Sequence, residues 1–364
     1  MYDAIIVGAR CAGSPTAMLL ARAGHRVLLV DRDTFPSDTL STAFIQSEGM
    51  ARLEKWRLRA TLLATGLPEI ATTLHAFGQA IPTPDADVMP TAPRRFILDK
   101  ILVDAARDAG AEVREAFSIQ DLFRDSSGAV VGVMGQERDG TQVMEEARIV
   151  VGADGRNSFV AKAVDAEEYN RYEPSSSGFY TYFSGIDAKG AELHLGDRHA
   201  FFVFPTNNGQ TCIGYEGPLS RWDEMRKDPG AYALAQFDKS SPDLAAKVRA
   251  GTQEERWLGL TGRPSFLRKP YGPGWALVGD AGYLKDPILG RGIDDAFRDA
   301  ELLSTAMDAG LSGTQPMVEA LAGYQATRDA IVKDVYELNQ AFAQMPEWSM
   351  ELLMRLGQAQ AVPA

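Results

Sequence analysis

The feature that most constrains this chain is its first 31 residues. Residues 4–7, Ala-Ile-Ile-Val, are an apolar run ending at Gly8. Gly8-Ala9-Arg10-Cys11-Ala12-Gly13-Ser14 comes next, and then an Ala/Leu-rich stretch from Pro15 to Ala23 with helical character. Gly24 suits the residue just past a helix end, where a left-handed backbone is common. A second apolar run, residues 26–30, ends at Asp31. Strand, glycine turn, helix, strand and acid, at this spacing, are the βαβ unit that binds dinucleotides. In that unit Gly8 makes the tight turn and Gly13 lets helix and strand pack closely. The helix N-terminus offers free N–H groups to a pyrophosphate. Asp31, followed by Arg32, is placed to accept hydrogen bonds from ribose hydroxyls. One departure stands out: the middle glycine of the usual pattern is Arg10, whose charge is expected beside the phosphates instead. A βαβ unit with no nucleotide is the plain alternative. The agreement between motif and acid spacing speaks against it.

The rest of the chain adds two similar turns. Residues 147–151, Ala-Arg-Ile-Val-Val, read as a buried strand running into Gly152-Ala153-Asp154-Gly155 and a helix start near Asn157 or Ser158. Trp275-Ala-Leu-Val runs into Gly279-Asp280-Ala281-Gly282. Asp286-Pro287-Ile288-Leu289-Gly290-Arg291-Gly292-Ile293 then opens a long helix, expected over 293–309. Small residues at strand ends and helix starts let backbone N–H groups approach an anionic or electron-rich ligand. Between these segments, helices are expected over 46–56 and 97–109, with Arg94 and Arg95 just ahead of the second. The proline-rich stretch 80–95 reads as largely irregular.

Composition narrows the function classes. Lys and Arg number 37 against 49 Asp and Glu, a formal charge of −12. That disfavours nucleic-acid binding, which rests on neutralising phosphates. With 45% hydrophobic and 24% charged residues the chain reads as globular. No apolar run reaches the roughly 18 residues of a membrane helix. The two cysteines and the absence of a leader-like N-terminus point to a cytoplasmic protein. His25, His75, His194 and His199 lack zinc-type spacing, so no metal is expected. Nothing in the sequence specifies an oligomeric state.

Taken together, Gly8–Gly13, Asp154-Gly155 and Gly279-Asp280 resemble the three fingerprints of FAD-dependent aromatic hydroxylases of the para-hydroxybenzoate hydroxylase type. The wider group includes flavin-dependent halogenases and geranylgeranyl reductases. The resemblance implies an α/β architecture with a Rossmann-like FAD-binding domain in the glutathione-reductase layout. That domain is interleaved with an antiparallel-sheet substrate domain and followed by C-terminal helices. The expected division is 1–72, 95–173 and 271–320 for the FAD domain, 73–94 and 174–270 for the substrate domain, and 321–364 for the helices.

The resemblance also implies roles. Gly8, Arg10, Cys11, Ala12, Gly13 and Ser14 would meet the pyrophosphate, and Asp31 with Arg32 the adenosine ribose. Arg95 would touch the FAD chain. Asp280, beside Gly279, would bind its ribityl or pyrophosphate portion. Asp154 and Gly155 would support that region and the nicotinamide cofactor. Pro287, Gly290, Gly292 and Ile293 would face the pyrimidine edge of the flavin, where a helix N-terminus stabilises negative charge on reduction. Ser41 and Thr42, in the loop 39–42, would lie beside the ring. Cys11 reads as a small packing residue in preference to a flavin attachment site.

Aromatic residues concentrate in strand-like runs at Tyr180, Tyr182 and Phe183, and at Phe201, Phe202 and Phe204. Tyr180, Tyr182, Phe202 and Phe204 are the weak candidates for a substrate pocket, with ordinary β-core packing as the alternative. His194 and His199 read as surface strand histidines, and residues 317–357 as outer helices with solvated polar faces. No side chain declares itself as acid or base.

The layout favours a monooxygenase. FAD, reduced by NAD(P)H, would carry oxygen as a C4a-hydroperoxide to a small aromatic or natural-product-like molecule. The halogenase signature Trp-x-Trp-x-Ile-Pro is absent. The nearest stretch, Phe201-Phe-Val-Phe-Pro205, is similar to a segment of geranylgeranyl-reductase-like proteins, so a C=C reductase or dehydrogenase is the alternative. A flavin-binding protein without turnover is the third.

Overall fold

The alternation of apolar runs with glycine turns resolves into a parallel sheet in a computed structural model, which describes residues 1–83 and 86–360. Strands Glu112–Arg114, Val27–Val30, Tyr2–Val7, Gln142–Gly152 and Trp275–Leu277 lie side by side in that order, all parallel. Their registers bring the strand ends level. Val7 sits beside Val30 and Gly152, and Gly152 beside Leu277. The three glycine turns therefore leave the sheet together at its carboxyl end, where open α/β sheets bind ligands.

These strands are apolar throughout because both faces are covered. Helices Gly13–Arg22, Arg95–Asp108 and Gly292–Leu311 pack on one face around Ile6, Leu29, Leu98 and Phe297. On the other lies a meander of Ser118–Arg124, Val130–Gln136 and the first half of Gln142–Gly152. Phe117 and Val133 close that side over Ile5 and Val30. Asp99 is the first surprise: a fully buried carboxylate in the helix expected over 97–109, which begins instead at Arg95.

A second sheet runs in the order Thr252–Gln253, Ser176–Ser184, Thr211–Pro218, His199–Pro205, Ala191–Gly196, Thr72–Ala76, Gln79–Pro82. It is antiparallel except where Thr72–Ala76 runs parallel to Ala191–Gly196. Strand period two sorts its side chains. Phe201, Ile213 and Tyr215 face Phe237 and Leu244 of helices Pro229–Ser240 and Pro242–Ala250. Tyr180, Tyr182, Phe204 and Cys212 face the opposite way. Gln79–Pro82 lies inside the stretch expected to be irregular. Its proline is tolerated as the last residue of an edge strand. Residues 84 and 85 of that stretch, and 361–364 of the C-terminal region, lie outside the described residues.

A short third sheet, Tyr283–Leu284, Ser265–Arg268 and Glu168–Tyr172, receives the helix Met317–Ala343. That helix is not the solvated outer layer expected from its polar content. Arg328 is fully buried and donates to the carbonyls of Arg268 (2.9 Å) and Gly282 (3.4 Å) and to the Tyr169 hydroxyl (2.7 Å). Asn339, also buried, donates to the Asp286 carbonyl at 3.1 Å. No helix among the described residues is long and apolar enough to cross a membrane.

Candidate active site

The first glycine turn is folded hard against the second. Gly8 has φ +105°, and a Cβ there would lie 2.4 Å from the Ala153 carbonyl oxygen. A Cβ on Gly13 would lie 1.7 Å from the Gly8 carbonyl oxygen. Neither position admits a side chain. The helix that starts at Gly13 has Ala12 at its N-cap, with no side-chain cap and no acid in its first turn. Ser14 Oγ is buried there without a hydrogen-bond partner among the described residues. Uncapped amides and an orphaned hydroxyl at a helix N-terminus suit an anionic group.

Arg10 does not leave its charge free for phosphates. Its guanidinium pairs with Asp99 at 2.5 Å and Asp33 at 3.0 Å. Asp99 is wholly buried, so it takes the nearest cations; Arg95 reaches it bidentately from one turn away, at 3.1 and 3.0 Å. Cys11 is buried against Asp99 (3.4 Å), and burial pushes its thiol well above the ordinary range. A thiolate is thus disfavoured there. Asp31 accepts from the Ala9 amide at 2.7 Å and the Asp33 amide at 2.9 Å, tying strand end to glycine turn. Burial raises its pKa, opposed by those two bonds. Arg32 beside it is exposed.

The third turn closes on the first. Gly279 has φ +61°, and its Cβ would sit 2.8 Å from the Ala12 Cβ. Asp280 is open to solvent, yet crowded enough that desolvation raises its pKa against the pull of Arg95 and Arg156. Asp154 is committed locally: it accepts from Ser158 Oγ (2.5 Å) and from the amides of Phe159 (2.6 Å) and Val160 (3.1 Å), capping the helix Phe159–Ala163. Gly155, at φ +73°, starts the turn carrying Arg156. That arginine forms no ion pair or hydrogen bond among the described residues, and its charge lies near Asp280 and Tyr180. Sequence reading passed over it.

Pro287–Leu289 is one helical turn, held by Asp286, which accepts from the Ile288 amide at 3.1 Å. Gly290, at φ +61°, reverses the chain and Gly292 begins the long helix, one residue ahead of Ile293. Asp294, though in its first turn, reaches away to the amides of Gln46 (3.1 Å) and Gly49 (2.9 Å). It caps the helix Ser47–Lys55 and leaves its own helix start uncapped.

The aromatic candidates separate by face. Tyr180, Tyr182 and Phe204 are buried together, with Phe202 half-buried beside them. Phe201 lies on the other side. The loop 39–44 rests on this aromatic face: the Ser41 amide donates to the Tyr180 hydroxyl at 2.9 Å, and Phe44 meets Phe204 at 5.3 Å between centroids. Thr42 sits between Ser41 Oγ and the Ala43 amide that donates to it at 3.0 Å. Arg94 lies over the Tyr182 ring at 3.9 Å and pairs with Asp38 and Glu255.

Glu216 is the residue that sequence reading missed most plainly. It shares the inward face with Cys212 and Gly214 by strand alternation, is 5% exposed, and its carboxyl forms no hydrogen bond among the described residues. Burial, with Asp286 nearby, pushes its carboxyl up to about 8. Asp286 itself accepts from Ser176 Oγ at 2.6 Å. The two carboxyls feel each other's charge near the segment leading to Gly290, with Asp286 held by Ser176. His194 and His199, expected at the surface, are both buried. His199 stacks near Phe201 and Tyr215, and its Nδ1 is 3.0 Å from the Asp197 carbonyl.

Residues 1–339 match the family model of an FAD-binding domain. The chain belongs to that family. It is 26% identical over 333 residues to the menaquinone reductase of Mycolicibacterium smegmatis, covering 85% of this chain and 76% of that one. It is 25% identical to the rifampicin monooxygenase of Streptomyces venezuelae, covering 95% and 72%. Its fold is that of the flavin-dependent brominase Bmp2: TM-score 0.85, 18% identity, 99% of this chain and 90% of that chain. It is an FAD-dependent oxidoreductase, and the glycine cradle, the uncapped helix and the unpartnered Ser14 hydroxyl fit FAD.

Proposed function

We propose that this oxidoreductase is a monooxygenase acting on a small aromatic or natural-product-like molecule, with NAD(P)H as reductant. The observation that carries the reading is the aromatic face of Tyr180, Tyr182, Phe202 and Phe204, set beside loop 39–44 and the Asp286–Gly292 turn. FAD, when bound, supplies the electron transfer and oxygen activation. The chain supplies the rest. Gly8, Ala12, Gly13 and Ser14 would hold the pyrophosphate, Asp31 the ribose, and Asp280 with Arg95 the connecting chain. The Gly290–Ile293 backbone would face the ring edge. The aromatic face binds a flat apolar substrate and excludes water. Glu216 keeps a proton at neutral pH and can donate a hydrogen bond to a substrate oxygen. Residues 1–72, 95–173 and 271–320 form the cofactor part in this reading, and 73–94 with 174–270 the substrate part.

A second reading is a C=C reductase, favoured by the Phe201–Pro205 run and by the likeness to a menaquinone reductase. There Glu216 would be the proton source. One experiment separates the two. The FAD-loaded protein is reduced anaerobically with NADPH or NADH and given a panel of phenols, quinones and polyketide-like aromatics, with or without isotopically labelled O₂. Label in the product supports the monooxygenase. Reoxidation by an unsaturated acceptor without oxygen supports the reductase and overturns the first reading.

A further inference from the structure

On the face of the second sheet opposite Tyr180, Tyr182 and Phe204 lies a cluster that the proposed reaction does not use. His75 and His194 are register partners on the parallel strands Thr72–Ala76 and Ala191–Gly196. Paired residues project to one face, and the imidazoles stack at 4.1 Å with 4° between planes. Glu192, two residues before His194, shares that face by strand period. Its Oε2 lies 2.8 Å from His194 Nε2 and 3.7 Å from His75 Nε2. One ligand atom from each residue thus falls within 4.8 Å of the other two. All three line a cavity of about 500 Å³ that Asp243 and Lys247 also reach.

From this convergence we propose that His75, His194 and Glu192 form a binding site for a divalent cation of the zinc type. A hydrogen-bonded His–Glu pair would explain His194 alone. It does not explain His75, whose imidazole makes no hydrogen bond among the described residues yet points the same nitrogen at the same carboxylate. Two imidazoles and a carboxylate are the donor set of a three-ligand zinc site, with a fourth position left for water. That position opens into the cavity. Asp243 and Lys247 carry opposite charges, so Glu192 sets the sign of the site. Parallel rings aim their lone pairs side by side, so reaching zinc distances of about 2.0–2.1 Å requires one ring to turn. His75, with 34% of its side chain exposed against 8% for His194, has the room. The ion would staple the hairpin Thr72–Pro82 to the body of the sheet.

The test uses tag-free, FAD-loaded protein stripped with a chelator and titrated with Zn²⁺ by calorimetry, with thermal melts alongside. One ion should bind per chain and raise the melting temperature. His75→Ala and Glu192→Gln should each weaken binding about tenfold or more, the scale of loss that even outer partners of a metal site produce. Glu192→Gln keeps an oxygen and an amide beside His194, so it tests the ligand set without emptying the site. His25→Ala, at a histidine paired with Asp308 elsewhere, should bind as the parent does. Zn²⁺ binding that survives Glu192→Gln and His75→Ala unchanged, or no binding by the parent protein, overturns the assignment.

Discussion

Glu216 is a buried acid whose proton can be followed through stability. Its carboxyl is held up at about 8, against an ordinary value of 4.5, by burial and by Asp286. Between those values the folded protein keeps a proton that the unfolded chain releases. Stability should therefore fall as pH rises through that window, by up to about 1.4 kcal/mol per pH unit. Glu216→Gln removes the titrating group. Urea midpoints of the two proteins should diverge between about pH 5 and about pH 8, with the variant gaining steadily on the parent. Parallel curves would mean that the carboxyl ionises freely. Gly13 makes a second prediction at this scale. A Cβ 1.7 Å from a carbonyl oxygen cannot be absorbed by a side-chain rotation. Gly13→Ala should cost about 1–3 kcal/mol and yield protein lacking the flavin absorbance of the parent. Gly323→Ala, in the helix Met317–Ala343 and away from the cofactor turns, meets nothing within 4 Å and should retain flavin.

At the scale of elements, Asp99 joins the first helix start to Arg95–Asp108. It is fully buried and satisfies Arg10 and Arg95 at once. Asp99→Ala leaves two partly buried guanidiniums facing each other and should cost about 3–5 kcal/mol. Arg10→Ala leaves Asp99 with Arg95 and should cost less, about 1–3 kcal/mol. Chemical denaturation gives both numbers, and the reverse order would show that Arg10 is the main support of that carboxylate. The position of Arg10 in the glycine motif was readable from residue spacing. Its use was not, because Asp99 lies 89 residues away and only helix packing brings it within reach.

At the scale of the whole molecule, the helix Met317–Ala343 is tied to the cofactor end of the sheet through Arg328 and Asn339. Arg328→Met fills the volume but takes the charged donor from the Arg268 carbonyl and the Tyr169 hydroxyl, while the Gly282 carbonyl keeps the Arg268 amide at 2.9 Å. It should cost about 1–3 kcal/mol, seen as a lowered urea midpoint. Because Gly282 closes the Gly279 turn through its own amide bond to the Gly279 carbonyl at 2.8 Å, FAD retention should fall with it. A variant that unfolds more easily yet keeps flavin as tightly would show that the helix supports the fold and not the cofactor turn. The helical pattern of this region was visible in its apolar spacing. Its buried polar residues looked like a solvated face, since nothing local distinguishes an arginine in water from one satisfied by distant carbonyls.

The sequence by itself determined the cofactor class. Gly8, Gly13, Asp31 and Gly279 act through local backbone geometry, and a turn, a helix start and a strand end are written in consecutive residues. Only the tertiary structure decided what surrounds them. The shared register of Val7, Gly152 and Leu277 places three distant turns together. Strand alternation separates Phe202 and Phe204 from Phe201, and pairing across strands brings His75 to His194 and Glu192. The charge of Asp286 reaches the buried Glu216 carboxyl, and the Ser176–Asp286 bond ties the second sheet to the segment leading to Gly290. Such groups come from segments far apart in the chain, and their chemistry exists only where packing removes water and sets them side by side.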